Sequence, residues 1–148
     1  MFAYSMREKT SAHRNLPDDV PTEVKQARLK KMIDVFMKAQ LARTQKENLG
    51  AHHLVLVDGK GKKDNQLKGK TDTYRSVIFE QRHGLPVVKS ADEYRGQVAR
   101  ESVDTVNKGD YVMVKVNTTS SNTLFGEAVC KLDFNTFFEL SKGLPYFK

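Results

Sequence analysis

The chain has 148 residues, the size of one domain with an attached element, and can bury a core without a disulfide or metal staple. Hydrophobic residues make up 39% and charged residues 29%, and no apolar run approaches the roughly 20 residues that span a bilayer, so no membrane-spanning helix is predicted. Lys and Arg total 25 against 18 Asp and Glu, a net charge of +7 that favours polyanions, chiefly nucleic acid.

The first residues, Met1 to Ser5, read as the end of a β-strand, and no partner strand lies nearby in sequence. They lack the continuous apolar region of a signal peptide. Next comes a helix start at Asp18-Asp19-Val20-Pro21, where acidic groups and proline suit the free N–H groups of a helix N-terminus. Val24, Leu29, Met32, Ile33, Phe36 and Ala39 then recur at helical spacing among lysines and arginines, and Gly50 is a stop. The pattern predicts one amphipathic helix over 21–47.

Beyond Gly50 the period changes to that of strands. His52 to Asp58 is rich in β-branched residues and ends in a Gly-Lys-Gly-Lys-Lys turn. Leu67–Thr71 and Arg75–Glu80 predict two more strands, Gln81–Val106 a long polar connection, and Tyr111–Val116 and Thr123–Leu132 a further pair. The expected fold class is α+β: a strand remnant and a long helix, then a small five-stranded OB-like barrel. Three regions follow, 1–50, 51–132 and an apolar tail at 133–148, where Phe134, Phe137, Phe138, Leu140 and Phe147 carry enough apolar surface to dock, on the barrel itself before a partner.

Cys130 is the single cysteine, placed among apolar residues, and His13, His52, His53 and His83 lack the spacing of a metal site. No catalytic, cofactor-binding or metal residues are predicted. The basic residues carry more. Lys60, Lys62 and Lys63 on the turn, Lys68 and Lys70 around Gly69, and Arg75 at the head of a strand would meet at one end of the barrel. Lysines so placed track a phosphate backbone without reading bases, and Tyr74 beside them could either stack on a base or sit in the barrel core.

Two blocks of the sequence resemble a known family. FAYSMREKT and DDVPTEVKQARL are similar to the close of the radical SAM domain in the MiaB-type methylthiotransferases of tRNA and ribosomal protein. LVLVDGKGKKDNQLKGKTDTYRSVIF and the later GDYVMVKV and SNTLFGEAV resemble the TRAM domain that ends those enzymes. The likeness runs from Phe2 to about Leu132 and is nearest to the eukaryotic mitochondrial members, named for binding an activator of a cyclin-dependent kinase. Lys62, Lys63, Gly69, Lys70, Thr71, Asp72, Arg75, Gly109, Asp110 and Gly126 fall on recurrent TRAM positions. Lys70 stands where arginine is usual, and Gly61 where serine is common; lysine keeps the charge without the bidentate fork.

The resemblance implies tRNA as partner, with a kinase-activator protein as a second one, and a mitochondrial or cytoplasmic location. The family's full enzymes use two 4Fe-4S clusters and S-adenosylmethionine to convert N6-isopentenyl-adenosine beside the anticodon into its 2-methylthio form. Clusters need several thiolates, and Cys130 alone cannot hold one. The expected role is therefore the tRNA-binding C-terminal portion of a methylthiotransferase, with the chemistry in upstream domains. The alternative is a freestanding RNA-binding module without catalysis.

Overall fold

The structure is a computed structural model that describes residues 1–96 and 103–148. Part of the predicted Gln81–Val106 connection, 97–102, lies outside the described residues. The chain divides into two compact units, Met1–Gln40 and Leu41–Lys148.

In the first unit a short helix, α1 (Ser11–Asn15), is capped by Thr10, whose hydroxyl accepts from the His13 N–H at 3.2 Å. Pro21 then precedes the long helix α2 (Thr22–Asn48), and Asp18 pairs with Lys25 in its first turns. The helix forms where the sequence placed it. The strand predicted at Met1–Ser5 does not: this segment has no regular structure, and Phe2 is 95% exposed. A strand without a neighbour leaves its N–H and C=O groups unpaired, so nothing holds it extended. No residue of Met1–Gln40 is buried, the apolar side chains of α2 included.

The second unit is the barrel. Its strands are β1 (His52–Lys60), β2 (Gln66–Thr71), β3 (Ser76–Glu80), β4 (Leu85–Val88), β5 (Val103–Asp104), β6 (Tyr111–Thr119), β7 (Thr123–Leu132) and β8 (Tyr146–Phe147). Antiparallel pairing runs β3-β2-β1-β6-β7, and β3 then lies parallel to β7, with Val77 opposite Leu124, which closes a five-stranded OB-like barrel. Alternation along the strands points Val55, Val57, Val77, Phe79, Val112, Val114, Val116 and Leu124 into one core.

Closure depends on two glycines. A Cβ on Gly69 would sit 2.3 Å from the Leu56 carbonyl oxygen, and one on Gly126 2.2 Å from that of Lys115. Neighbouring strands approach so closely there that no side chain fits. At the other end of the core, the C-terminus of α2 is tied in by the Gly50 N–H, which donates to the Val116 carbonyl at 2.9 Å. Gly50 itself has φ +74, the left-handed conformation that ends many helices.

β4 lies within Gln81–Val106, where the sequence predicts only a polar connection. It pairs in parallel with the end of β7, through Val87 opposite Lys131. A short helix, α3 (Ala91–Tyr94), follows it, and β5 pairs with its start. The tail forms α4 (Phe134–Ser141), capped by Asp133, whose carboxylate accepts from the Thr136 N–H at 2.7 Å. Phe137 and Phe147 join Leu54, Val88, Met113, Cys130 and Leu132 in a second apolar cluster on the outside of the barrel. Thus Cys130 is a buried strand residue, as its apolar setting predicted.

Candidate nucleic-acid interface

Strand geometry gathers four of the six predicted basic residues. Lys68 and Lys70 flank Gly69 on β2, so their side chains leave the sheet on one face while Gly69 turns inward. Lys60 lies opposite Leu67 on the neighbouring strand, after a bulge at Asp58 that shifts the ladder between Val57 and Gly59. Lys62 follows on the β1–β2 turn, where the Gly61 N–H donates to the Gln66 carbonyl at 2.6 Å. Lys60, Lys62, Lys68 and Lys70 line one groove of about 400 Å³. Among the described residues, Lys60, Lys62, Lys68 and Lys70 form no ion pair. The groove thus sets four ammonium groups against one lining carboxylate, Asp58, an excess of positive charge of the kind that attracts phosphate oxygens.

The other two basic residues stand apart. Lys63 is exposed on the same turn but does not line the groove. Arg75 is half-buried, and its Nη1 donates to Thr44 Oγ1 at 2.9 Å, clamping the β2–β3 turn to the last turns of α2. Its charge also helps to lower the pKa of His53, which burial and Arg75 together push down to about 4. His53 is buried in the barrel wall beside Tyr146, ring centroids 5.1 Å apart, and neither ring nitrogen has a partner among the described residues. It is a neutral structural histidine at pH 7.

Several positions singled out by family resemblance have architectural work here. Gly69 and Gly126 allow the barrel to close. Asp110 accepts from the Asn107 N–H at 2.7 Å and pairs with Lys131 at 2.8 Å, while the Gly109 N–H, at φ +95, donates to Val57. Thr71 is buried, and its hydroxyl accepts from the Arg75 N–H at 3.1 Å, fixing the β2–β3 turn.

That turn places an aromatic side chain where sequence left two readings open. Tyr74 is not in the core: it is 79% exposed, with the Lys70 ammonium 4.4 Å from its ring centre. A second hollow, about 310 Å³, is walled by Leu56, Tyr74, Tyr111 and Phe134 and shares Asp58 and Lys70 with the lysine groove. Tyr111 and Phe134 were legible only as a strand and a tail residue. Their meeting with Tyr74 depends on pairing between distant segments.

The donor set does not fit an iron–sulfur cluster. Cys130 is buried in the barrel wall, and among the described residues no three His, Cys, Asp or Glu side chains converge as metal ligands. Among the described residues, no helix is long and apolar enough to cross a membrane.

No family model matches the chain. Curated proteins do. It is 38% identical over 132 residues, 88% of its length, to the mitochondrial tRNA methylthiotransferase CDK5RAP1 of Mus musculus. A CDK5RAP1-like protein of Oryza sativa is 37% identical over 141 residues, 94% of this chain. The tRNA-2-methylthio-N(6)-dimethylallyladenosine synthase of Porphyromonas gingivalis is 35% identical over 130 residues, 87% of this chain. The chain spans 21%, 22% and 23% of these three proteins' own lengths.

Proposed function

We propose, from the homology of this chain to part of the MiaB-type tRNA methylthiotransferases, that it binds tRNA through the lysine groove. Its role is to present the anticodon arm for 2-methylthiolation of an N6-isopentenyl-adenosine. The radical chemistry belongs to cluster-bearing domains, since Cys130 is the single cysteine of this chain and cannot hold a cluster alone. The mitochondrial relatives support a mitochondrial location.

One observation carries the reading: Lys60, Lys62, Lys68 and Lys70 share a groove and lack counter-ions among the described residues. Each phosphate they neutralise releases counterions, so affinity falls with salt in proportion to the contacts made. In the Lys60→Ala/Lys62→Ala/Lys68→Ala variant, the slope of log affinity for tRNA against log salt should drop by about 2 to 3. A slope equal to that of the parent chain would sink the assignment of the groove.

The second reading, an RNA-binding module acting without catalysis, is favoured by the compactness of Leu41–Lys148, which holds the complete barrel core. The two differ in specificity: a positioning module should prefer a tRNA anticodon arm over an unrelated hairpin of equal length. A kinase-activator partner would meet a reduced tail, because Phe137 and Phe147 already pack on the barrel, while Phe134, Phe138 and Leu144 remain half exposed or more.

A further inference from the structure

Three exposed aromatic rings and a leucine around one hollow are costly to leave in water, and one of the rings sits on strained backbone. Tyr74 has φ +60, in the left-handed region that an aromatic residue seldom enters. The strain is over-determined by the turn: the Tyr74 N–H donates to the Thr71 carbonyl at 2.9 Å, and the Thr71 N–H to the Arg75 carbonyl at 3.0 Å. The result is a ring held out beside the hollow rather than folded into the core.

We propose that the hollow between Tyr74, Tyr111 and Phe134 receives a single unstacked nucleobase of an RNA strand whose phosphates lie in the lysine groove. The inference rests on the RNA-binding reading above and names what that reading leaves open, a subsite for a base. The two hollows meet at Lys70 and Asp58, so a strand tracked by the lysines can turn one base into the neighbouring aromatic walls. Lys70 occupies the junction, its ammonium 4.4 Å from the Tyr74 ring centre and 2.9 Å from Ser76 Oγ. Charge also selects the occupant. The aromatic hollow sets Asp58 and Asp72 against Lys70 alone, whereas the groove sets four lysines against Asp58, so a phosphate is favoured in the groove and a neutral base can stack on an aromatic face of the hollow. At about 310 Å³ the space lies at the small end of ligand sites and suits one flat ring system.

The test uses the full chain and two probes, an adenosine octamer and the same octamer with every base removed. Affinity is measured for both across a salt series, with the parent chain and with Tyr74→Ala and Tyr74→Phe. Stacking of one base predicts that the parent chain binds the octamer about 5- to 150-fold more tightly than the abasic strand. Tyr74→Ala should abolish that preference without changing the salt slope, and Tyr74→Phe should keep it. Because the chain has no tryptophan, Tyr74→Trp supplies a single reporter, whose emission the octamer should quench and the abasic strand should not. Equal affinity for the two strands, or a preference that survives Tyr74→Ala, overturns the base subsite; the second result would be expected of a hollow built for a protein side chain. If neither strand binds, or binding is insensitive to salt, the RNA reading fails first and the subsite falls with it.

Discussion

The helical segment of Met1–Gln40 and the strands of Leu41–Lys148 hold similar apolar residues and use them differently. Met32, Ile33, Val35, Phe36 and Met37 crowd one stretch of α2, and all are exposed. In the barrel, Val55, Val112, Val114 and Val116 have no exposed surface. A strand buries its alternate side chains once its neighbours pair, and a closed sheet supplies every neighbour itself. A helix supplies none and gains stability chiefly from what its apolar face packs against. Apolar content in a sequence therefore marks candidate core; burial is decided by pairing.

The contrast is broken most sharply by one truncation made at Phe79. This ring is 2% exposed and central to the barrel core, so Phe79→Ala should cost about 3–5 kcal/mol through lost transfer energy and the cavity left behind. Urea unfolding at pH 7 reads it as a lower midpoint. A loss under about 1 kcal/mol would mean that the barrel interior collapses around the gap and is less rigid than its closure implies.

A smaller effect comes from the buried histidine. His53 has a folded pKa of about 4 against an ordinary 6.5, because burial, then Arg75, then His52 disfavour its charged form. The unfolded chain thus binds a proton that the folded chain refuses. The stability His53 contributes is complete above about pH 6.5, declines as pH falls, and is exhausted near pH 4, a change of about 3 kcal/mol. In His53→Leu the stability difference between pH 7 and pH 4 should shrink by that amount. If the two pH profiles run parallel, the imidazole is already solvated in the folded chain.

Much of this architecture was readable, and the parts that were not share a cause. The span of α2 follows from Pro21, Gly50 and the uninterrupted run between them, and β1, β2 and β7 from local alternation. β4 was hidden because Pro86 interrupts a four-residue strand whose partner, β7, lies more than 40 residues on. The lysine groove was legible since Lys60, Lys62, Lys68 and Lys70 sit on consecutive strands and their turn. The bond of Arg75 to Thr44 was not legible because the two lie 31 residues apart on different elements. The aromatic hollow escaped for the same reason, and for one more: nothing in Thr71-Asp72-Thr73-Tyr74 announces that the tyrosine takes a positive φ.

The Arg75 clamp itself can be weighed. Thr44 is fully buried, and valine has nearly its shape without the hydroxyl. Thr44→Val removes the acceptor of the 2.9 Å bond and leaves a half-buried guanidinium N–H unpaired, a cost of about 1–2 kcal/mol. The denaturant slope should stay constant while the midpoint falls. An unchanged midpoint would show that water replaces the hydroxyl and that Arg75 remains available to a ligand.

The smallest expected effect bears most directly on the difference between the exposed helix and the closed barrel. Phe36 is the same residue type as Phe79, lies on the predicted apolar face of α2, and is 50% exposed. With no buried neighbour in Met1–Gln40, Phe36→Ala deletes a ring that packs against nothing closed, and alanine is the better helix former. Its effect on unfolding should lie within about 0.5 kcal/mol of zero, against several for Phe79→Ala. A loss above about 1 kcal/mol would mean that this face is covered in solution, and repeating the measurement over a tenfold range of protein concentration would then separate self-association from packing within one chain.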